Sequence, residues 1–199
     1  MKPIELLKDE HRVIEVVLNV LESMAERVQG GEKLDRESAL EALEFFRNFA
    51  DRCHHGKEEA HFFTWMESKG FQRNGGPTGV MISEHEMGRA HVRTMAEAVE
   101  GAAKGERAAI IQFVEHALGY VQLLREHIEK EDHCLFSMAA NVMTPEDLKY
   151  LEQQFEHVES HEMGEGTHQK YLHLAKTLAS RYQIPWNLDD KILNCGCHH

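Results

Sequence analysis

Two stretches of this 199-residue chain carry side chains at a spacing suited to metal chemistry. His127 and Glu131 lie four residues apart, which on an α-helix puts both on one face, one turn above the other. An imidazole nitrogen and a carboxylate placed in this way can hold one divalent transition metal. The segment from Cys53 to Phe63 aligns without gaps on the one ending at Phe136. His54 falls on His127, Lys57 on Lys130, Glu58 on Glu131 and Phe63 on Phe136. Upstream of each copy stands a Glu-His pair, Glu10-His11 and Glu84-His85, and the spacing from His11 to His54 (43 residues) nearly repeats that from His85 to His127 (42). The chain therefore reads as a duplicated helix pair. Each half offers one histidine from its first helix and His-x-x-x-Glu from its second.

A rival register exists, because His55 and Glu59 are also four apart. The second half has Ile128 and Asp132 at the equivalent positions, so the duplication favours His54 and Glu58 as ligands, with Glu59 turned about 100° away. His61 and Cys134 each follow a proposed ligand by seven residues. They read as core filling below the site, with a redox or outer-layer pair as the alternative. Tyr120, seven residues before His127, faces the core near the site. His157 and His161 lie opposite Leu151 and Phe155 and face solvent.

These ligands need four long helices. The first opens at Pro3 and stops at Gly30-Gly31, with Leu7, His11, Ile14, Leu18 and Leu21 on its inner stripe. The second starts at Asp35, an N-cap type, and reaches about Lys69, with Leu43, Phe46, Ala50, His54 and Phe62 inward. Gly70 to Gly79, with four glycines and Pro77, is the crossing loop. The third runs from about Thr78 to Ala103 and buries Met81, His85, Val92, Met95 and Val99. The fourth follows Gly105 and reaches Ala140, with Ile110, Phe113, Ala117, Tyr120, Leu124, His127, Glu131 and Cys134 inward. Thr144-Pro145-Glu146-Asp147 opens a fifth helix, broken near Gly164-Gly166. His11 and His54 are each 19 residues from their turn, so an antiparallel pair brings them level. Four inward ligand sets at one level make a two-metal site. The expected fold is all-α, an up-down-up-down four-helix bundle with an additional C-terminal helix. Residues 1–182 form the domain and 183–199 an irregular tail.

Composition narrows the function classes. Charged residues are 28% and hydrophobic ones 42%, as in ordinary soluble proteins. A net charge of −12 disfavours nucleic acid and anionic membrane partners. No apolar run reaches the ~18 residues of a spanning helix, and the start is not a signal peptide, so the expected location is cytoplasmic. The four cysteines do not form a disulfide framework. Cys195, Cys197, His198 and His199 could form a soft-metal clasp, a disordered end or a site shared across a homodimer.

The motifs resemble those of the hemerythrin-like, or HHE cation-binding, family of di-iron four-helix bundles. The resemblance rests on His11, His54/Glu58, His85, His127/Glu131, the stretch Glu84-His-Glu-Met-Gly-Arg89 and Leu135-Phe136, and covers about residues 1 to 180. It implies two non-haem iron ions capped by the histidines and bridged by the glutamates. It also implies a small partner such as oxygen, nitric oxide or peroxide. Oxygen-carrying members have a second histidine one turn after the third-helix ligand, where this chain has Arg89. One coordination position is then left for a small ligand or for Glu10, Glu15, Glu84 or His61. A ligand-binding protein for sensing, storage or delivery and an enzyme turning over peroxide or nitric oxide, or repairing iron–sulfur clusters, both fit. Deleting residues 187–199 is expected to leave the metal content of the bundle unchanged, as elemental analysis of the truncated protein would show.

Overall fold

A computed structural model describes residues 2–188 except Glu165. Among these residues every regular element is helical, with no strand. Helix α1 (Pro3–Gln29) has proline in its first turn and ends at Gly30, beyond which Gly31 turns the chain at φ 97°. The second rod comprises α2 (Arg36–Phe45), π-helical turns at Phe46–His55 and Glu58–Phe62, and α3 (Phe63–Ser68). The Asp35 carboxylate caps it, accepting from the Glu37 and Ser38 amides. Helix α4 (Pro77–Ala103) begins one residue earlier than the sequence suggests. The fourth rod is α5 (Arg107–Lys130), a π-helical turn at Glu131–Leu135, and α6 (Phe136–Ala140). Helix α7 (Pro145–His157) carries a complete Thr144/Asp147 capping box. It passes through a π-helical turn at Val158–Glu162 and leads to α8 (Thr167–Tyr182).

Helix α4 packs along α5, α1 along α5, and α2 against α4, while α8 lies across α1 and α2. The apolar interior has two parts. The larger is built from Val13–Val28, Phe45, Phe46, Phe49, Val92, Met95, Val99, Phe113, Tyr120 and Leu124. The smaller gathers Leu7, Phe62, Phe63, Trp65, Met66, Met81, Leu135 and Phe136. In every rod the proposed ligand falls at the boundary. His11 lies between Leu7 and Val13, His54 between Ala50 and Phe62, His85 between Met81 and Val92, and His127 between Leu124 and Leu135. The two apolar parts thus sandwich one polar layer, which is why those four histidines share a level.

The π-helical turns are what the sequence periodicity missed. An i→i+5 turn holds one more residue than an α turn and shifts all later residues around the axis. Cys134, expected inward, is therefore exposed, and Leu135 takes the buried place. His157 and His161 are exposed and stack on each other, while Leu151 and Phe155 are buried. Ile184, Trp186 and Leu188 pack on the larger core without regular structure, and the Cys195–His199 cluster lies outside the described residues. No helix among the described residues is long and apolar enough to cross a membrane.

Tyr171, Leu172, Ala175 and Leu178 of α8 belong to the larger core itself. Leu178→Ala is therefore expected to cost about 2–5 kcal/mol, read by chemical denaturation at unchanged helix content. A cost below about 0.5 kcal/mol would mean that α8 is only peripherally attached.

Candidate metal centre

Seven buried side chains converge in the polar layer. His11, His54, Glu58 and Glu131 form one group, and His55, Glu58, His85 and His127 another. Within each group the potential ligand atoms lie within 4.8 Å of one another. Each carboxylate leans toward both groups. Glu58 stands 3.5 Å from His54 Nε2 and, with its other oxygen, 3.5 Å from His85 Nε2. Glu131 Oε2 is 3.2 Å from His11 Nε2 and 3.4 Å from His127 Nε2. Two acids that each face histidines of both groups have the arrangement a pair of bridging ligands needs.

All six residues picked out by the duplication, His11, His54, Glu58, His85, His127 and Glu131, are brought together. His55 is the residue that sequence reasoning set aside. On an α-helix, consecutive residues point about 100° apart and cannot both enter one site. Here the π-helical turn Phe46–His55 carries both His54 and His55 inward, 1% and 3% exposed. The His55 ring stacks on His85 at 3.7 Å between centroids. His55 thus lies in the space that the arginine at position 89 was expected to leave open. The only available signal was the His-His dipeptide, and the second half has Ile128, not histidine, opposite His55.

Behind the converging side chains stands a second layer with the same internal symmetry. His54 Nδ1 bonds Glu10 and His127 Nδ1 bonds Glu84, both at 2.9 Å. His11 Nδ1 bonds Asp132 at 2.9 Å, and His85 Nδ1 bonds Glu59 at 2.7 Å. His55 Nδ1 lies 3.4 Å from Asp51. Glu10 and Glu84 are equivalent in the duplication, as are Glu59 and Asp132. Glu10 and Glu84 therefore meet the outer nitrogens of histidines and do not point into the space between them. Glu59, expected to point away, holds His85 in place. Glu15 pairs with Arg12, and His61 is not among the converging ligand atoms. Arg89 donates to Asp51 (2.8 Å), Glu59 (2.7 Å) and Glu86 (2.7 Å), tying together the acids behind His55 and His85.

A carboxylate at Nδ1 turns each Nε2 inward, and in a neutral ring an Nδ1–H donated outward leaves the Nε2 lone pair free for a metal. His85 Nε2 and His127 Nε2 face each other at 3.1 Å, an approach that two lone pairs tolerate only around a shared proton or cation. Burial presses His54 and His55 down to about 4 and His85 to about 3, so these three are neutral near pH 7. Against the same burial, Glu131 and then Glu84 hold His127 up at about 9. Burial, and next the charge of Glu131, push the Glu58 carboxyl well above the ordinary range. Glu131 stays low despite burial because His127 and His11 flank it. All four carboxylate oxygens of Glu58 and Glu131, with His11 Nε2 and His55 Nε2, are buried without a hydrogen-bond partner. Such atoms are costly in a fold unless a cation satisfies them, so this donor set fits two metal ions.

The sequence profile of the hemerythrin HHE cation binding domain matches residues 2–139, and the chain belongs to that family. Its curated relatives include an uncharacterized protein of Mycobacterium bovis and two from strains of Mycobacterium tuberculosis. Each is 24% identical over 161 residues, covering 81% of this chain and 62% of the relative. The chain thus spans less than two thirds of the length of these relatives. No solved structure matches it significantly.

Glu58 supplies a stability test of the donor set. A carboxyl whose pKa is raised by folding contributes stability below the ordinary carboxylate range. That contribution is lost as pH rises through the raised value. Glu58→Gln is therefore expected to stabilise the metal-free protein at pH 7, on the order of 1–3 kcal/mol, and to abolish retention of two ions. The gain should shrink toward pH 4. A metal-free variant that melts below wild type at pH 7 would show that Glu58 is satisfied within the protein.

Proposed function

We propose that the chain is a non-haem di-iron protein that binds oxygen or a related small ligand, nitric oxide or peroxide, for sensing, storage or delivery. The observation that carries this reading is the set of orphaned carboxylate oxygens of Glu58 and Glu131 between two groups of inward-facing imidazole nitrogens. Membership of a cation-binding family supports it. Bound there, two iron ions would supply a redox-active pair able to take up a small ligand.

His55, His85 and His127 face Glu58 on one side, and His11 and His54 face Glu58 and Glu131 on the other, four donors in each group. On the His11/His54 side the Phe136 ring stacks on His11 with centroids 5.6 Å apart. A cleft of about 150 Å³ meets the other side at His55, His85, Gly88, Arg89 and Tyr120. Its volume is below the ~300–1,000 Å³ of pockets that take organic substrates, which favours a small partner. With no membrane-crossing helix among the described residues and a charge of −12, we infer a cytoplasmic setting without nucleic-acid or membrane partners.

The protein is expected to purify with about two iron ions per chain, counted by elemental analysis. Its visible absorption should change reversibly when oxygen or nitric oxide is admitted and removed. One zinc ion per chain, or no metal after iron supplementation, would overturn the di-iron reading. Sustained consumption of peroxide instead of reversible binding would move the protein to the enzyme class.

A further inference from the structure

The duplicated halves serve as controls for each other, and they differ in how the lysine beside the orienting acid is covered. In the second half, Glu84 accepts from His127 Nδ1 and from Lys130, whose side chain is 42% exposed. In the first half, Glu10 accepts from His54 Nδ1 and from Lys57, whose side chain is fully buried. The cover comes from the C-terminal segment. Lys57 Nζ also donates to Glu159, 2.5 Å away on the π-helical turn Val158–Glu162, and lies 6.0 Å from the centroid of the Phe155 ring. His168 of α8 places Nε2 3.5 Å from Glu10 and packs its ring against Phe49 at 5.2 Å. Glu159 and His168 both lie beyond residue 139, where the family match ends.

A buried ammonium is tolerated only when paired, and Glu10 alone would have to balance Lys57 while holding His54. Glu159 takes a share of that charge, and His168 approaches the Glu10 oxygen that Lys57 uses. The remaining Glu10 oxygen is then committed to His54 Nδ1. Glu10, Glu159 and His168 could be taken for a third metal site. The Lys57 ammonium, bonded to both acids, already supplies the cation there.

We propose that Glu159 and His168 are positioning residues. Through Lys57 and Glu10 they fix the His54 imidazole, so that the metal position of His11, His54, Glu58 and Glu131 depends on the C-terminal segment while that of His55, His85 and His127 does not. The inference rests on the di-iron reading, and its test separates the two. Full-length wild type, Glu159→Gln, Glu159→Asp and the shape-conserving His168→Phe are loaded with ferrous iron without oxygen and challenged with a chelator. Ions retained per chain are followed over time. In metal-free samples of the same proteins, NMR reads the Nδ1–H resonances of His54 and His127.

In Glu159→Gln and His168→Phe, one ion should leave about tenfold faster than in wild type while the other leaves at the wild-type rate. The His54 resonance should shift and that of His127 should not, which also shows that the variants are folded. Glu159→Asp should recover most of both. Wild-type release rates in both variants, equal acceleration of both ions, or an unshifted His54 resonance would each overturn the proposal. A wild-type chain that retains no iron would sink the di-iron reading, and the metal-free resonances would still decide the positioning.

Discussion

The confrontation of Glu58 and Glu131 inside a helical bundle governs the rest of the structure. Two ionised carboxylates buried side by side repel each other and resist burial. Only cations can offset this, whether they are protons on neighbouring groups or metal ions. Without metal, the raised Glu58 carboxyl and the raised His127 imidazole show protons filling that role. Protons and metals therefore compete for the same lone pairs.

Orientation of the five imidazoles is the second requirement, and the duplication meets most of it economically. One Glu-His dipeptide per half supplies both an inward-facing histidine and the acid that orients the histidine of the next helix. The residue after each bridging acid, Glu59 or Asp132, reaches back to the histidine of the Glu-His pair. Arg89 ties Asp51 to Glu59 and so joins the supports of His55 and His85. A position that looks like a lost ligand in the sequence is a brace in the structure.

How much could be read from the chain follows from what each signal encodes. Helix-long periodicity and the repeated spacings of His11, His54, His85 and His127 carry the all-α fold and the common level of the ligands. They hold because each helix turns back within a few residues at glycine. Local changes of helical pitch leave no periodic trace, so the inward turn of His55 and the outward turn of Cys134 were not legible. The orienting acids were visible as residues, but their role depends on which ring nitrogen they meet, and spacing does not record that. The reach of Glu159 and His168 into the first half was hidden because the segment carrying them has no counterpart in the duplication.

The polar layer that divides the apolar interior also bears on how the molecule comes apart. The smaller cluster around Phe62, Trp65 and Phe136 and the larger one around Leu18, Phe46 and Phe113 meet across this layer, where they are joined by ion pairing and ring stacking in place of continuous apolar contact. Contacts of that kind strengthen or weaken with the charge in the layer, which apolar contacts do not. Coupling between the two ends of the bundle therefore depends on which cations, protons or metal ions, the layer would hold.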